Sequence, residues 1–528
     1  MLYEKLIERF PKLALLSLTW EARIFPREEI VFFHPGPIQA LYIYGLGQGA
    51  PYQQMKSWLH ENKERRLIFL EDDPNAIASL QEEELLADPQ VHLSFFTKEE
   101  IPFLAAQFPL HQIDIVALPS RQNKKFRSLK LQLLRTTTLT HALHLDRLCG
   151  YQPFHNFLKN TRHIPHSFYA NQLHGTFSNV PAIICGAGPS LNEAIPLLEK
   201  LQDRALLIAG GSAIAALSAR GIIPHFGVAI DPNHEEYKRL KNCTFPMPLL
   251  YSTRLHPDVL TTCKGPFGYM RSGIGGVPEI FLEEKLDLLG LPIGEGLSSE
   301  SIAVTPICTA WAQYVGCSPI LFCGVDLAYT QGKRYAEGVL PVQESLPFQA
   351  RTAADRMVKR KNQNGQRVHT AIRWVMESAS LAYFAKQHAH TPFFNTSAEG
   401  LPIKGVPYLS LAHAAARYLT QPLDLRARVK QEIARAPMPS NTQEVIHTRL
   451  QELRESISRV LDHLAILAGK KAGSKALAEV ELEVEVAMSC LFYDIEQIFP
   501  DAENRWEKFL ALAQKYQSII CGETAVFV

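Results

Sequence analysis

The residues best suited to chemistry stand at the ends of apolar runs. The chain passes from Val180-Pro-Ala-Ile-Ile-Cys185 directly into Gly186-Ala187-Gly188-Pro189-Ser190-Leu191. The run Ala182–Cys185 is short and does not alternate, the pattern of a strand buried on both faces of a parallel sheet. Gly186 and Gly188 let the chain turn sharply and leave its backbone open. Pro189 pre-sets a helical φ, and Ser190 can satisfy the unpaired N–H groups of a helix start. The helix that follows aims its positive end at an anion, for which phosphate is the obvious candidate. A bare Gly-x-Gly also fits a plain strand-to-helix turn, so its surroundings must decide.

Those surroundings alternate strands with helices from Val180 to about Leu411. Ala205–Ala209 ends in Gly210-Gly211-Ser212, Phe226–Ile230 ends in Asp231, and Leu249-Leu250-Tyr251 ends in Ser252-Thr253. A glycine-rich loop, Ser272 to Gly276, precedes an apolar helix from Ile302 to Val315, and Ile320–Val325 then ends in Asp326. Ligands gather at the carboxyl ends of strands in open parallel sheets, so Gly186, Gly210, Asp231, Ser252 and Asp326 converge on one rim and predict a nucleotide site. From Leu327 to His369 the chain is polar and too long for a simple connection, which predicts a lid or a substrate-binding element. A helix over Ala371–Ala389, the strand Pro392–Thr396 and a turn at Glu399-Gly400 close the domain.

The amino-terminal part, residues 1–120, carries its own α/β pattern. Strand Ala40–Tyr44 leads into Gly45-Leu-Gly-Gln-Gly49, and strand Arg66–Leu70 ends in Glu71-Asp72-Asp73, the order in which nucleotide folds place a phosphate turn and a ribose ligand. Pro51 falls where the helix should begin, which favours a structural or partner-binding role. Residues 121–179 read as a helical connector whose histidines, His141, His144, His155, His163 and His166, lack a carboxylate or cysteine complement for a metal. Residues 424–528 read as a helical bundle, with Leu450, Leu453, Ile457, Val460, Leu461, Leu464 and Leu467 on one stripe and further landmarks at Lys470–Ser474 and Asn504–Tyr516; such an appendage supports self-association or docking.

The whole is an α/β protein of 528 residues, enough for roughly two to four domains, with 46% hydrophobic content to fill their cores. Its 54 basic and 53 acidic residues leave a net charge of +1, which argues against nucleic acid or an anionic membrane held by bulk charge. The first ten residues alternate charged with apolar groups and lack a signal-peptide core, and the most apolar stretch, Ala205 to Ile230, is broken by Gly210, Gly211, Arg220 and Pro224. A cytoplasmic protein without a membrane span is expected. The nine cysteines contain no Cys-x-x-Cys pair, so reduced core thiols and no metal are expected.

Several strings together carry a family resemblance: Gly186-Ala-Gly-Pro-Ser-Leu191, Gly221-Ile-Ile-Pro224 with Ile230-Asp231, Asp326-Leu-Ala-Tyr-Thr330, and Asn395-Thr-Ser-Ala-Glu-Gly400 followed by Ile403 and Gly405. The chain resembles the motility-associated factor glycosyltransferases over nearly its whole length, a family that shares its central domain with archaeal hydroxymethyl-dihydropterin diphosphokinase. The glycine turn is also similar to the one with which bacterial sialyltransferases hold CMP-sialic acid. The resemblance implies transfer of a nonulosonic acid from its CMP-activated form to serine or threonine hydroxyls of a protein such as flagellin. The reaction would be inverting and need neither metal nor cofactor.

On that reading Gly186, Ala187, Gly188, Pro189 and Ser190 hold the nucleotide phosphate, while Ser212, Asp231, Ser252 and Thr253 bind ribose and base. Tyr329 and Tyr335 donate to the departing phosphate beside Asp326. Lys333 and Arg334 meet the sugar carboxylate, and Gly273, Asn395 and Thr396 complete the substrate contacts. The sequence departs from its relatives at Ala187, where sialyltransferases have asparagine, and near Tyr335, where the family usually shows histidine; His369 is the nearest replacement base. Two other readings remain open, an ATP-dependent pterin diphosphokinase and a catalytically degenerate scaffold. Gly188→Val is expected to abolish nucleotide binding without unfolding the chain.

Overall fold

The computed structural model of the protein describes residues 2–17, 23–31, 35, 38–108, 113–148, 151–243, 246–330, 332–339, 357–468 and 505–524. They divide into two compact units, Met1–Asp146 and Arg147–Val528. The stretch 121–179, expected as one connector, is divided between them: the long helix Lys124–Leu148 belongs almost wholly to the first unit, and the helix Tyr151–Asn160 to the second. No helix among the described residues is long and apolar enough to cross a membrane.

The first unit is built on four parallel strands, β1 (Ala40–Tyr44), β2 (Arg66–Glu71), β3 (Val91–Phe95) and β4 (Ile113–Ala117), in the order β3-β2-β1-β4. Pro51 does not delay the next helix, which spans Ala50–His60 and carries the proline in its first turn, where the missing N–H would have had no helical partner. At the end of β2 the buried Glu71 is already committed. Its Oε1 accepts from the N–H groups of Asp72 and Asp73, at 2.9 and 3.0 Å, and from the Arg121 guanidinium at 2.6 Å.

The second unit holds a larger sheet of eight strands. Its members are β5 (Phe168–Tyr169), β6 (Ala182–Cys185), β7 (Leu206–Gly210), β8 (Phe226–Ala229), β9 (Leu249–Tyr251), β10 (Phe267–Tyr269), β11 (Ile320–Cys323) and, after the hairpin β12 (Met357–Lys361) and β13 (Arg367–Ala371), β14 (Phe393–Asn395). All eight sheet strands are parallel, in the order β14-β11-β6-β7-β8-β9-β10-β5. After the edge strand β5 the chain enters the middle at β6, moves strand by strand toward β5 through β10, then crosses back to place β11 against the other side of β6.

Each central strand feeds two cores with alternate residues. Ile183, Cys185, Leu207, Ala209, Leu321 and Cys323 face one core; Ala182, Ile184, Leu206, Ile208, Ile320 and Phe322 face the other. This is why the runs are apolar without alternation. The first core continues into the paired helices Thr442–Ala468 and Arg505–Thr524. Leu450, Leu453, Ile457, Val460, Leu464 and Leu467 are buried there and Leu461 is packed against them, so this stripe closes the chain's own core. Lys470–Ser474 lie outside the described residues, as do residues 340–356 of the expected lid. The parts of that stretch that are described include the β12–β13 hairpin, where sequence predicted only an extended loop.

Candidate active site

The turn after β6 is moulded by the end of β11. Gly186 N–H donates to the Cys323 carbonyl and Gly188 N–H to the Gly324 carbonyl, both at 2.7 Å. A Cβ on Gly186 would lie 2.4 Å from the Gly324 oxygen, and one on Gly188 would lie 2.6 Å from Asp326 Cγ. Both glycines are therefore required by the neighbouring backbone. The expectation that Gly188→Val would spare the fold is corrected by this contact, since the new side chain would strike Asp326 before it reached any ligand.

Asp326, 1% exposed, is the hub of this corner. Its Oδ2 accepts from Ser190 N–H at 2.9 Å and Thr330 Oγ1 at 3.1 Å, and its Oδ1 accepts from the Ser190 hydroxyl. Ser190 Oγ also lies 3.0 Å from Ser397 Oγ. The carboxylate thus sits beside the start of the helix Leu191–Leu201, the position where a bound anion would be favoured. Just beyond it Leu327 is buried at φ +52°, a strained conformation for a branched side chain that leads the chain back over the pocket.

Between the carboxyl ends of β6, β7 and β11 lies a cavity of about 190 Å3. It stands where strand order reverses, the position at which doubly wound sheets bind ligands. The turn Gly186–Gly188, Ser212 and Asp326 form its floor. Thr305 and Cys308 come from the helix Val304–Tyr314, Trp374 and Glu377 from the helix Ile372–Gln387, and Arg334 and Tyr335 from the returning loop. That loop is held close by Ala336 N–H donating to the Ala187 carbonyl at 2.8 Å. The Arg334 guanidinium lies 5.0 Å from the Tyr335 ring centre and 6.0 Å from that of Trp374, a cation–π arrangement on the cavity wall.

Glu377 is the pocket's second carboxyl group. Burial pushes its pKa above the usual carboxylate range, opposed by a hydrogen bond with Thr305 and the charge of Arg373. Burial also raises the Cys308 thiol far from the range of a reactive thiolate. Sequence reasoning passed over Glu377 because it lies beyond a long polar stretch, inside an apolar helix. The signal was there in its spacing: Trp374 and Glu377 are three residues apart and share one helical face.

Of the expected site residues, the structure brings Gly186, Ala187, Gly188, Ser212, Asp326, Arg334 and Tyr335 to this cavity, and Pro189 and Ser190 continue the turn. Others lie elsewhere. Ser252 and Thr253 are fully buried and bind Glu279, whose Oε1 accepts from Thr253 N–H and Oγ1 at 2.9 and 2.7 Å and from Ser252 Oγ at 3.2 Å. Gly273 belongs to the adjoining loop, in which Gly276 N–H donates to its carbonyl at 3.3 Å. Asp231 Oδ1 accepts from Asn233 N–H and Nδ2 at 3.0 and 2.7 Å, closing its own turn. Asn395 is buried with Oδ1 accepting from Ser397 N–H, and Thr396 donates to the Phe322 carbonyl. Lys333 is exposed. Tyr329 packs its ring 5.0 Å from Trp374 outside the cavity, and its N–H donates to the His369 carbonyl at 2.8 Å.

Fold and cavity together define a Rossmann-like α/β protein with a cavity at the switch point of a parallel sheet. Residues 155–332, which run from the helix before β5 to the start of the returning loop, match the family of 6-hydroxymethylpterin diphosphokinase MptE-like proteins. Among solved structures the chain is similar to the Maf glycosyltransferase from Magnetospirillum magneticum AMB-1, at 14% identity and a TM-score of 0.48, over 99% of this chain and 90% of that one. No curated protein matches the chain.

Proposed function

We propose that the switch-point cavity is the donor site of an inverting glycosyltransferase that moves a nonulosonic acid from its CMP-activated form to a protein hydroxyl, with flagellin serine or threonine as the acceptor. The observation that carries this reading is the convergence of Arg334 and Tyr335 with the Gly186–Gly188 turn in one cavity with the buried Glu377. A donor of this class brings two negative groups, a phosphate and a sugar carboxylate, into a site poor in water. The N–H groups of Gly186, Gly188 and Ser190 already have partners. The donor's charge is therefore met mainly by the Arg334 side chain, with Ser212 supplying a hydroxyl.

In the transfer step the acceptor hydroxyl gives its proton to the Glu377 carboxylate as its oxygen bonds to the anomeric carbon. The bond from that carbon to the phosphate oxygen breaks, and CMP departs with the electron pair. Tyr335 donates a hydrogen bond to the phosphate oxygen as charge grows on it. A carboxylate whose pKa is raised is the stronger base, so Glu377 takes the role that sequence gave to His369. Release of CMP from CMP-sialic acid, in the presence of an unfolded flagellin acceptor, tests the reading. The wild-type chain is expected to release CMP, and Glu377→Gln to lower kcat by roughly 10^2 to 10^4 with donor affinity little changed. Equal rates for the two proteins would remove Glu377 from the reaction.

The family match over residues 155–332 favours a second reading, transfer of diphosphate from ATP to a pterin. That chemistry calls for carboxylates open to magnesium. In this cavity Asp326 is bound by Ser190 and Thr330, and Glu377 by Thr305, which favours the glycosyltransferase.

A further inference from the structure

The loops that leave β8 and β9 bring together three side chains that the cavity does not use. His234 opens the helix His234–Leu240, His256 precedes the helix Pro257–Thr262, and Asp258 stands in the first turn of that second helix. One potential ligand atom from each lies within 4.8 Å of the others. His256 Nδ1 is 4.0 Å from Asp258 Oδ2, too long for a hydrogen bond, and this nitrogen is withdrawn from water with no hydrogen-bond partner. A buried polar nitrogen without a partner carries a desolvation cost that an added ligand would remove.

The backbone beneath these groups is fixed. His256 N–H donates to the Asp231 carbonyl at 3.1 Å, tying the two loops together. Asn156 Nδ2 donates to the carbonyls of Pro232 and Arg254, both at 3.0 Å, and clamps both loops from the helix Tyr151–Asn160. The His256 ring is also stacked on Tyr237, 6.0 Å between centres and 18° between planes. By contrast, the side chains of His234 and Asp258 are exposed, so they have room to close on a central atom. Two imidazoles and a carboxylate suit borderline metal ions, with bonds of about 2.0–2.2 Å; tetrahedral closure needs ligand separations nearer ~3.3 Å, a movement of about 1 Å by the two exposed side chains.

We propose that His234, His256 and Asp258 form a binding site for one divalent transition-metal ion, zinc foremost, with a fourth position left to water. The ion would fasten the β8 and β9 loops at the rim of the sheet. None of its ligands lines the switch-point cavity, so the site stands or falls apart from the glycosyltransferase reading.

The test is calorimetric titration of the untagged, chelator-treated full chain with zinc sulfate, paired with the visible absorption spectrum of the cobalt(II) form. The wild-type chain should bind one equivalent of zinc and give the intense bands of low-coordinate cobalt. Asp258→Asn, at an exposed position, should keep the wild-type circular dichroism and weaken zinc binding at least about tenfold, and His256→Gln should do the same. Absence of stoichiometric zinc binding would overturn the proposal. So would undiminished binding by a folded Asp258→Asn chain, which would place the metal on other residues.

Discussion

On the proposed reading, Arg334 is the residue on which donor recognition turns. It lines the cavity beside Tyr335 and Trp374, and a charge-assisted hydrogen bond to a carboxylate is worth about 1.5–3 kcal/mol. Arg334→Ala should therefore weaken binding of CMP-sialic acid roughly 10- to 100-fold while weakening CMP less, measured by calorimetry on both ligands. Equal losses would place the guanidinium on the nucleotide instead. Gly188 belongs to the same scale but to stability: its Cβ would meet Asp326 Cγ at 2.6 Å and the Gly324 oxygen at 2.7 Å. Gly188→Ala is expected to cost about 1–3 kcal/mol, read as a lower melting temperature; an unchanged melting temperature would show that the turn can move away from Asp326. The glycine turn was legible from sequence, yet its partner Asp326 lies 136 residues away, and nothing in local spacing tells that the two interlock. Ser252 and Thr253 were misread for a similar reason. Standing at a strand end they look available, but Glu279 from a later helix occupies their hydroxyl groups.

At the scale of elements, the central strands that sequence identified are those buried on both faces. β6, β7, β8 and β11 each present an apolar run that no helix of ordinary amphipathicity would show. β5 and β10 went unseen because they are two and three residues long, and β10 carries Gly268 at its centre. Trp374 and Glu377 were missed because the helix that bears them follows a hairpin hidden in polar sequence. Elements also set the pH response. Burial first and the charge of Asp231 second raise Glu236 to about 7, against the pull of Arg239. Burial and the charge of Glu279 likewise raise Glu283 to about 7. Each carboxyl keeps its proton in the folded chain at pH values where the unfolded chain, titrating near 4.5, has lost it. The folded state binds more protons across that window, so stability falls as pH rises from about 4.5 to about 7. Glu236→Gln should flatten this fall, by at most about 3 kcal/mol, in melting curves taken at about pH 5 and about pH 8. An identical pH slope in variant and wild type would mean that Glu236 is ionised throughout.

For the whole molecule, the near-equal numbers of basic and acidic residues argue against binding driven by bulk surface charge, and the larger sheet has a core on each face. The carboxyl-terminal helices belong to that core: Arg449 donates to the Phe281 carbonyl through Nε at 2.9 Å and holds its guanidinium 3.6 Å from the Phe281 ring centre. Those helices support the domain in which β6, β7 and β11 meet, and so the cavity itself. On the proposed function, this cavity receives a cytidine nucleotide. The most direct measurement is calorimetric titration of the full chain with CMP and, separately, with ATP and magnesium. One equivalent of CMP should bind, and this binding should be lost in a folded chain carrying Ser212→Trp, a substitution that fills the cavity, while ATP should show no saturable binding. Binding of ATP with magnesium and none of CMP would contradict the proposed function.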